Sequence, residues 1–397
     1  MKKIYVFASM MLAVALNFSC AKMDSPAFPS QDTPTEEAEG TKYLITVDGE
    51  THEVMLIGTF NAEKGAEVEF DLAGDDNGYY GVEIDGAMTK TGKGKVDDAK
   101  GTTTTGIIKV YGNKGLKSLN VIKAYPTETT FKNEWMATLE GLQFTEPYSK
   151  TIVLPETLTK LKELTIRKSE IATIDVSKFT TLEALTINSC KNFASIDVTQ
   201  NTNLTELKLI GDKLKSVDVS KNTKIETLFV NENEIEKLDV TALTNLKYLH
   251  ANINKLTEIN ITKNTELKEL WIYKNKFTIA TLPTKPAKTT ETDYAYAPQA
   301  AMKVAESFKV GETIDLTAQL YAQGVKKNQA TTEFKFFDAE GKQLENGVDY
   351  EKTEDAGLVY KFLKAHDKVV CKMTTEAFPE LVDFQTTEFK IEAAAAE

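Results

Sequence analysis

The chain has 397 residues, with 59 aspartates and glutamates against 47 lysines and arginines and a formal net charge of −12. Its 41% hydrophobic content can fill sizeable cores, and its length fits two or three domains. An acidic chain whose single arginine is Arg167 is a poor match for nucleic acid; three cysteines cannot build a disulfide scaffold, and three scattered histidines leave little room for a histidine-based metal site.

Lys2 and Lys3 precede an apolar run, residues 4–18, that ends at Ser19-Cys20. A basic start, a short apolar stretch and a small residue before the cut describe an export signal. The run is too short for an ordinary membrane-spanning helix, which needs ~20 residues. The small residue followed directly by cysteine resembles the lipobox of bacterial lipoproteins, with Asn17 where leucine is usual and Leu16 one place further out. That resemblance implies loss of residues 1–19, a lipidated Cys20, and, because Ala21 follows it, the outer membrane. Losing Lys2 and Lys3 would take the formal charge from −12 to −14. Residues 20–40 are rich in Pro, Ser, Thr and acid and lack periodicity, so a disordered tether is expected.

Residues 41–105 read as an N-terminal β domain, with Asp48-Gly49 and Asp85-Gly86 as turn signals and Val68, Phe70 and Leu72 alternating. The acidic stretch 71–78 invites a calcium reading but lacks the EF-hand spacing, so an acidic turn is expected.

Residues 106–283 repeat. Ile174-Asp175-Val176 returns as Ile196-Asp197-Val198, Val217-Asp218-Val219, Leu238-Asp239-Val240 and Ile259-Asn260-Ile261, at spacings of 22, 21, 21 and 21. Between these lies Leu-x-x-Leu-x-apolar, six times in register, from Leu161/Leu164/Ile166 to Leu267/Leu270/Ile272. Three residues after each come Ser169, Cys190, Asp212, Asn233, Asn254 and Asn275. This is the leucine-rich-repeat signature. Alternating leucines put one face of a short strand into the core, and the Asn side chain bonds backbone in the turn that follows. Two irregular copies, Leu139/Leu142/Phe144 and Leu116/Leu119/Val121, bring the array to about eight repeats of 21–23 residues, with 125–132 a looser convex stretch. Cys190 sits at the ladder position and should be a buried structural thiol.

Residues 284–300 are Pro/Thr-rich and read as a linker. Residues 301–397 alternate in short strands at regular spacing, which suggests an Ig-like β-sandwich with Cys371 as a buried free thiol. The fold class expected is therefore mainly β: a solenoid flanked by two β domains.

The chain resembles exported leucine-rich-repeat lipoproteins of Bacteroidetes-type bacteria, internalin-like in their repeats. The resemblance rests on the stretch 216–223 (SVDVSKNT), on 294–299 (YAYAPQ) just after the array, on the Ig-like region beyond it and on 106–112 (GIIKVYG). It implies export and a binding or adhesion role, and it supplies no ligand and no catalytic residue.

The catalytic motifs His-Glu-x-x-His, Gly-x-Ser-x-Gly and the phosphate-binding Gly-x4-Gly-Lys-Ser/Thr are absent from the sequence, and no cofactor is expected. A binding surface is easier to place. Residues between the inward leucines point to the concave face, in ladders ~4.8 Å apart per step. At the C-terminal end one ladder carries Phe229, His250 and Trp271, and the other Asn231, Asn252 and Tyr273. Exposed aromatics with amides suit a protein or a sugar. The reading is a non-enzymatic, lipid-anchored recognition or adhesion protein at the outer membrane or cell surface. It would touch the membrane only through the anchor and bind a macromolecule through these six residues. A protein partner is favoured over a glycan, which would instead mean a nutrient-uptake system.

Overall fold

A computed structural model describes residues 42–126, 136–147, 149–154, 156–322, 331–353 and 358–394. The expected signal segment, Cys20 and the tether lie outside the described residues, as does most of the 125–132 stretch. Among the described residues no helix is long and apolar enough to cross a membrane.

The N-terminal strands are β1 (Lys42–Val47), β2 (Glu50–Ala62), β3 (Glu67–Gly74), β4 (Tyr79–Ile84), β5 (Ala87–Lys93), β6 (Lys95–Thr102) and β7 (Ile107–Gly112). β1, β2, β7, β4 and β5 form one antiparallel sheet in that order. β7 is its middle strand, so the N-terminal sheet runs past the boundary expected at 105/106. The reason lies in its inward residues, since Ile108 and Val110 are fully buried in the core that also holds Phe60 and Tyr80.

The array follows as β8 (Leu116–Ile122), β9 (Ala124–Pro126), β10 (Gly141–Thr145), β11 (Glu163–Arg167), β12 (Ala184–Asn188), β13 (Glu206–Ile210), β14 (Thr227–Phe229), β15 (Tyr248–His250), β16 (Glu269–Trp271) and β17 (Tyr294–Ala295). β9 pairs with β2; β8 and β10–β17 form one parallel sheet, each strand beside the strand of the next coil. The leucines align rung on rung, as Leu207↔Leu228, Leu228↔Leu249 and Leu249↔Leu270. Each is fully buried, because no coil can cover its own apolar edge and each packs on the next. The protein is a leucine-rich-repeat solenoid, mainly β.

Both ends of the sheet are covered. β3 pairs antiparallel with β8, and β6 with β3, so two N-terminal strands extend the repeat sheet and hide its first edge. At the other end β17 pairs with β16, Leu270 opposite Tyr294 and Trp271 opposite Ala295. Residues 284–300, expected to be a linker, thus form a final coil instead. Tyr294 and Tyr296 take the inward positions, 4% and 5% exposed, and a large ring does there what leucine does elsewhere. Composition missed this because proline and threonine dominate the segment while two inward residues decide it.

Two sets of side chains stitch the coils, and a third closes turns within them. Nδ2 of Asn233, Asn254 and Asn275 donates to carbonyls of its own coil and the one before, and Oδ1 accepts the N–H of Leu214, Ile235 and Leu256. A second ladder, Asn201, Asn222 and Asn264, only donates: Nδ2 reaches carbonyls of the preceding coil, as in Asn222 Nδ2 to Val198 O (2.8 Å) and Asn201 O (2.9 Å), and Oδ1 has no partner among the described residues. The repeated aspartates close one-residue turns: Asp175, Asp197, Asp218 and Asp239 each accept the N–H two residues on, at 2.9 Å.

The C-terminal strands are β18 (Ser307–Lys309), β19 (Thr313–Asp315), β20 (Thr332–Phe337), β21 (Tyr350–Thr353), β22 (Val359–Phe362), β23 (His366–Thr375) and β24 (Phe389–Glu392). They make a four-stranded sheet, β18-β24-β23-β20, and a three-stranded one, β19-β22-β21. Phe336 of the first meets Tyr360 and Phe362 of the second, with ring centroids at 4.7 and 5.3 Å. Tyr296 joins this region to the last coil, its ring 5.3 Å from Phe378 and its hydroxyl accepting the Glu380 N–H.

Candidate functional site

The outward face of the parallel sheet carries one residue per strand in each column. In the column that follows the inward leucine, Lys208, Phe229, His250, Trp271 and Ala295 occupy successive rungs. Phe229 and His250 stack with centroids 3.8 Å apart and planes 3° apart; His250 and Trp271 stack at 3.9 Å and 1°. These distances are shorter than the ~4.8 Å between strands, so the rings lean together into van der Waals contact. All three residues are half-buried. The rings thus cover one another's faces and turn their edges outward.

The stack has two different ends. Over the free face of Phe229 lies the Lys208 ammonium, 5.4 Å from the centroid, paired with Glu206 at 2.8 Å. Beyond Trp271 the next rung is Ala295, and among the described residues no other ring or ammonium stands over the indole. His250 Nε2 lies 2.8 Å from Glu269 Oε1. A carboxylate can only accept, so Nε2 carries the hydrogen. Burial pushes the imidazole below its ordinary pKa, while the Glu269 hydrogen bond pulls it back up. A neutral ring suits a position sandwiched between two apolar rings.

The second expected column is less uniform. Asn231 is half-buried and its amide reaches Glu232 Oε1 at 3.2 Å. Asn252 is 3% exposed and its Oδ1 has no hydrogen-bond partner. Tyr273 is half-buried. The structure therefore unites Phe229, His250 and Trp271 in one contiguous feature and places the two asparagines and Tyr273 beside it. Sequence reasoning missed the flank of the stack. Glu206, Thr227, Tyr248 and Glu269 form a third outward column two residues earlier, with Lys208 as the cap. The period-2 rule that found the other columns would have found this one, had the strands been extended one residue.

Other candidates resolve into structure. Glu69, Asp71 and Asp98 bring carboxylates within 4.8 Å of one another. Lys100 sits 3.3 Å from Glu69 and 3.2 Å from Asp98, and Asn120 donates to Asp71 at 2.9 Å, so the charge is met from within. In the acidic turn Asp75 accepts the Asn77 N–H at 2.9 Å. Cys190 and Cys371 are free and fully buried, and burial pushes their thiols up to about 11 and about 12.

No family model and no curated protein matches the sequence. The solved structures with similarity to the chain include three proteins of Listeria monocytogenes. The functional domain of InlJ is 16% identical at a TM-score of 0.40, with 68% of this chain and 52% of that one covered. Internalin C2 is 18% identical at 0.38, covering 44% and 78%. InlP is 13% identical at 0.39, covering 71% and 89%. The chain spans about half the length of the InlJ domain it matches. The leucine-rich-repeat fold stated above stands on the chain's own rung-by-rung register.

Proposed function

We propose that this protein is a non-enzymatic recognition scaffold that binds a protein partner through the outward face of its repeat sheet, centred on Phe229, His250 and Trp271. One observation carries the reading. Three half-buried rings are stacked in register on the outward face of the repeat sheet, and such aromatics on a rigid sheet are the usual anchors of a binding surface. The repeat core needs none of them, since the leucines on the opposite face hold the coils. We further propose the setting: export on the residue 1–19 signal, a lipid anchor on Cys20 and display at the outer membrane, with an adhesion role and an Ig-like C-terminal module as spacer.

The test is a screen of the purified protein against panels of proteins and of glycans, repeated with Phe229, His250 and Trp271 all changed to Ala. A protein ligand lost in the triple variant is the expected result. A glycan-only ligand lost in the same variant moves the assignment to sugar capture. Binding that survives the triple change removes the stack from the site. Protease treatment of intact cells tests the setting, since a surface lipoprotein is shaved and a periplasmic one is protected.

A further inference from the structure

The two ends of the ring stack invite comparison. At the first end Lys208 lies over Phe229, and Glu206, two residues earlier on the same strand, holds its ammonium at 2.8 Å. At the second end the rung beside Trp271 is Ala295, and two residues before it stands Asp293. The acid is present in the same sequence relation and the cation is missing. Ala295 is half-buried. The last rung is thus a shelf that sets a small side chain beside Trp271. Its acidic side is unmatched: Glu269 pairs only with the His250 ring, and Asp293 accepts from Thr290. Among the described residues no lysine or arginine lies in salt-bridge range of either.

We propose that this shelf is a subsite for an arginine side chain of a basic protein partner, the guanidinium stacking on Trp271 over Ala295 and pairing with Asp293 and Glu269. Three observations favour arginine over other occupants. The protein already places a cation on the opposite end of the same stack, so the chemistry has an internal precedent. A guanidinium is flat, matches the indole face and offers a fork of donors to two carboxylates, which a lysine ammonium or a sugar hydroxyl does not. The chain carries a formal charge of −12, so a basic partner is drawn towards it over a distance of about a Debye length. The subsite rests on the outward face being the binding surface, and it adds to that reading the residue type that the surface takes.

The probe is a short glycine-spaced arginine peptide, with citrulline and lysine versions for comparison, titrated by calorimetry at low salt. The full chain binds the arginine peptide, the lysine version about fivefold more weakly, and the citrulline version not measurably. Asp293→Asn and Trp271→Ala each weaken the arginine peptide at least about fivefold. The decisive variant is Ala295→Arg, which supplies the missing cation from within. It leaves the far-ultraviolet circular dichroism unchanged and abolishes peptide binding. Equal binding of the arginine and citrulline peptides overturns the proposal. So does a neutral oligosaccharide such as cellohexaose competing at the Ala295→Arg-sensitive site, or peptide binding that Ala295→Arg leaves intact. A protein ligand lost in the triple aromatic variant but retained in Ala295→Arg overturns the subsite alone and leaves the binding face standing.

Discussion

Asp212 occupies a rung of the asparagine ladder, and changing it to asparagine should stabilise the protein in a pH-dependent way. The residue is 7% exposed. Its Oδ1 accepts the Cys190 N–H at 2.8 Å, as an asparagine Oδ1 would, while Oδ2 is buried without a partner. On the neighbouring coils the atom in that place is Nδ2, which donates to carbonyls such as Leu209 O and Val230 O for Asn233. A carboxylate cannot donate, so its charge is stranded. Burial pushes the carboxyl up from 3.8 to about 7, and the Cys190 N–H works the other way. At ~1.4 kcal/mol per tenfold, that gap corresponds to roughly 4 kcal/mol. The sign follows from the folded value being the higher one. The folded state holds the proton more tightly, so this contribution is fully present below about pH 4, declines as pH rises, and is gone above about pH 7. Asp212→Asn removes the slope and restores a donor. Urea denaturation of both proteins at several values between pH 4 and pH 8 measures it. The variant should gain on the order of 4 kcal/mol at pH 8 and far less at pH 4. A difference independent of pH, or a variant less stable at pH 8, refutes the reasoning.

Asn254→Ala should cost roughly 1–3 kcal/mol, because the buried Ile235 N–H loses its acceptor, while Val230 O and Ala251 O keep donors from Asn233 and Asn275; the urea midpoint checks it. Cys190 and Cys371, both 0% exposed with thiols raised by burial, should resist a maleimide reagent at pH 7.5 in the native protein and react once it is unfolded in urea. Rapid labelling of either in the native state would contradict the packing described.

The period of 21 or 22 residues named the coil, the inward leucines and the ladder asparagines before any coordinate. It could do so because each coil contacts mainly its neighbours, and a one-dimensional stack writes its contacts as a period in the chain. The same logic placed Phe229, His250 and Trp271 in one column. What the period could not contain was the end of the array. β3 pairs with β8 across a long stretch of chain, and Tyr294 takes a leucine's place in a segment whose composition reads as a linker. Both depend on partners brought close only by folding. Nor could it show that the rings lie nearly parallel at 3.8 and 3.9 Å, that Lys208 caps one end, or that Ala295 stands beside the other. Residue order determined which side chains share a column; the close contact of their rings, and the rung that brings alanine beside Trp271, were decided by tertiary structure.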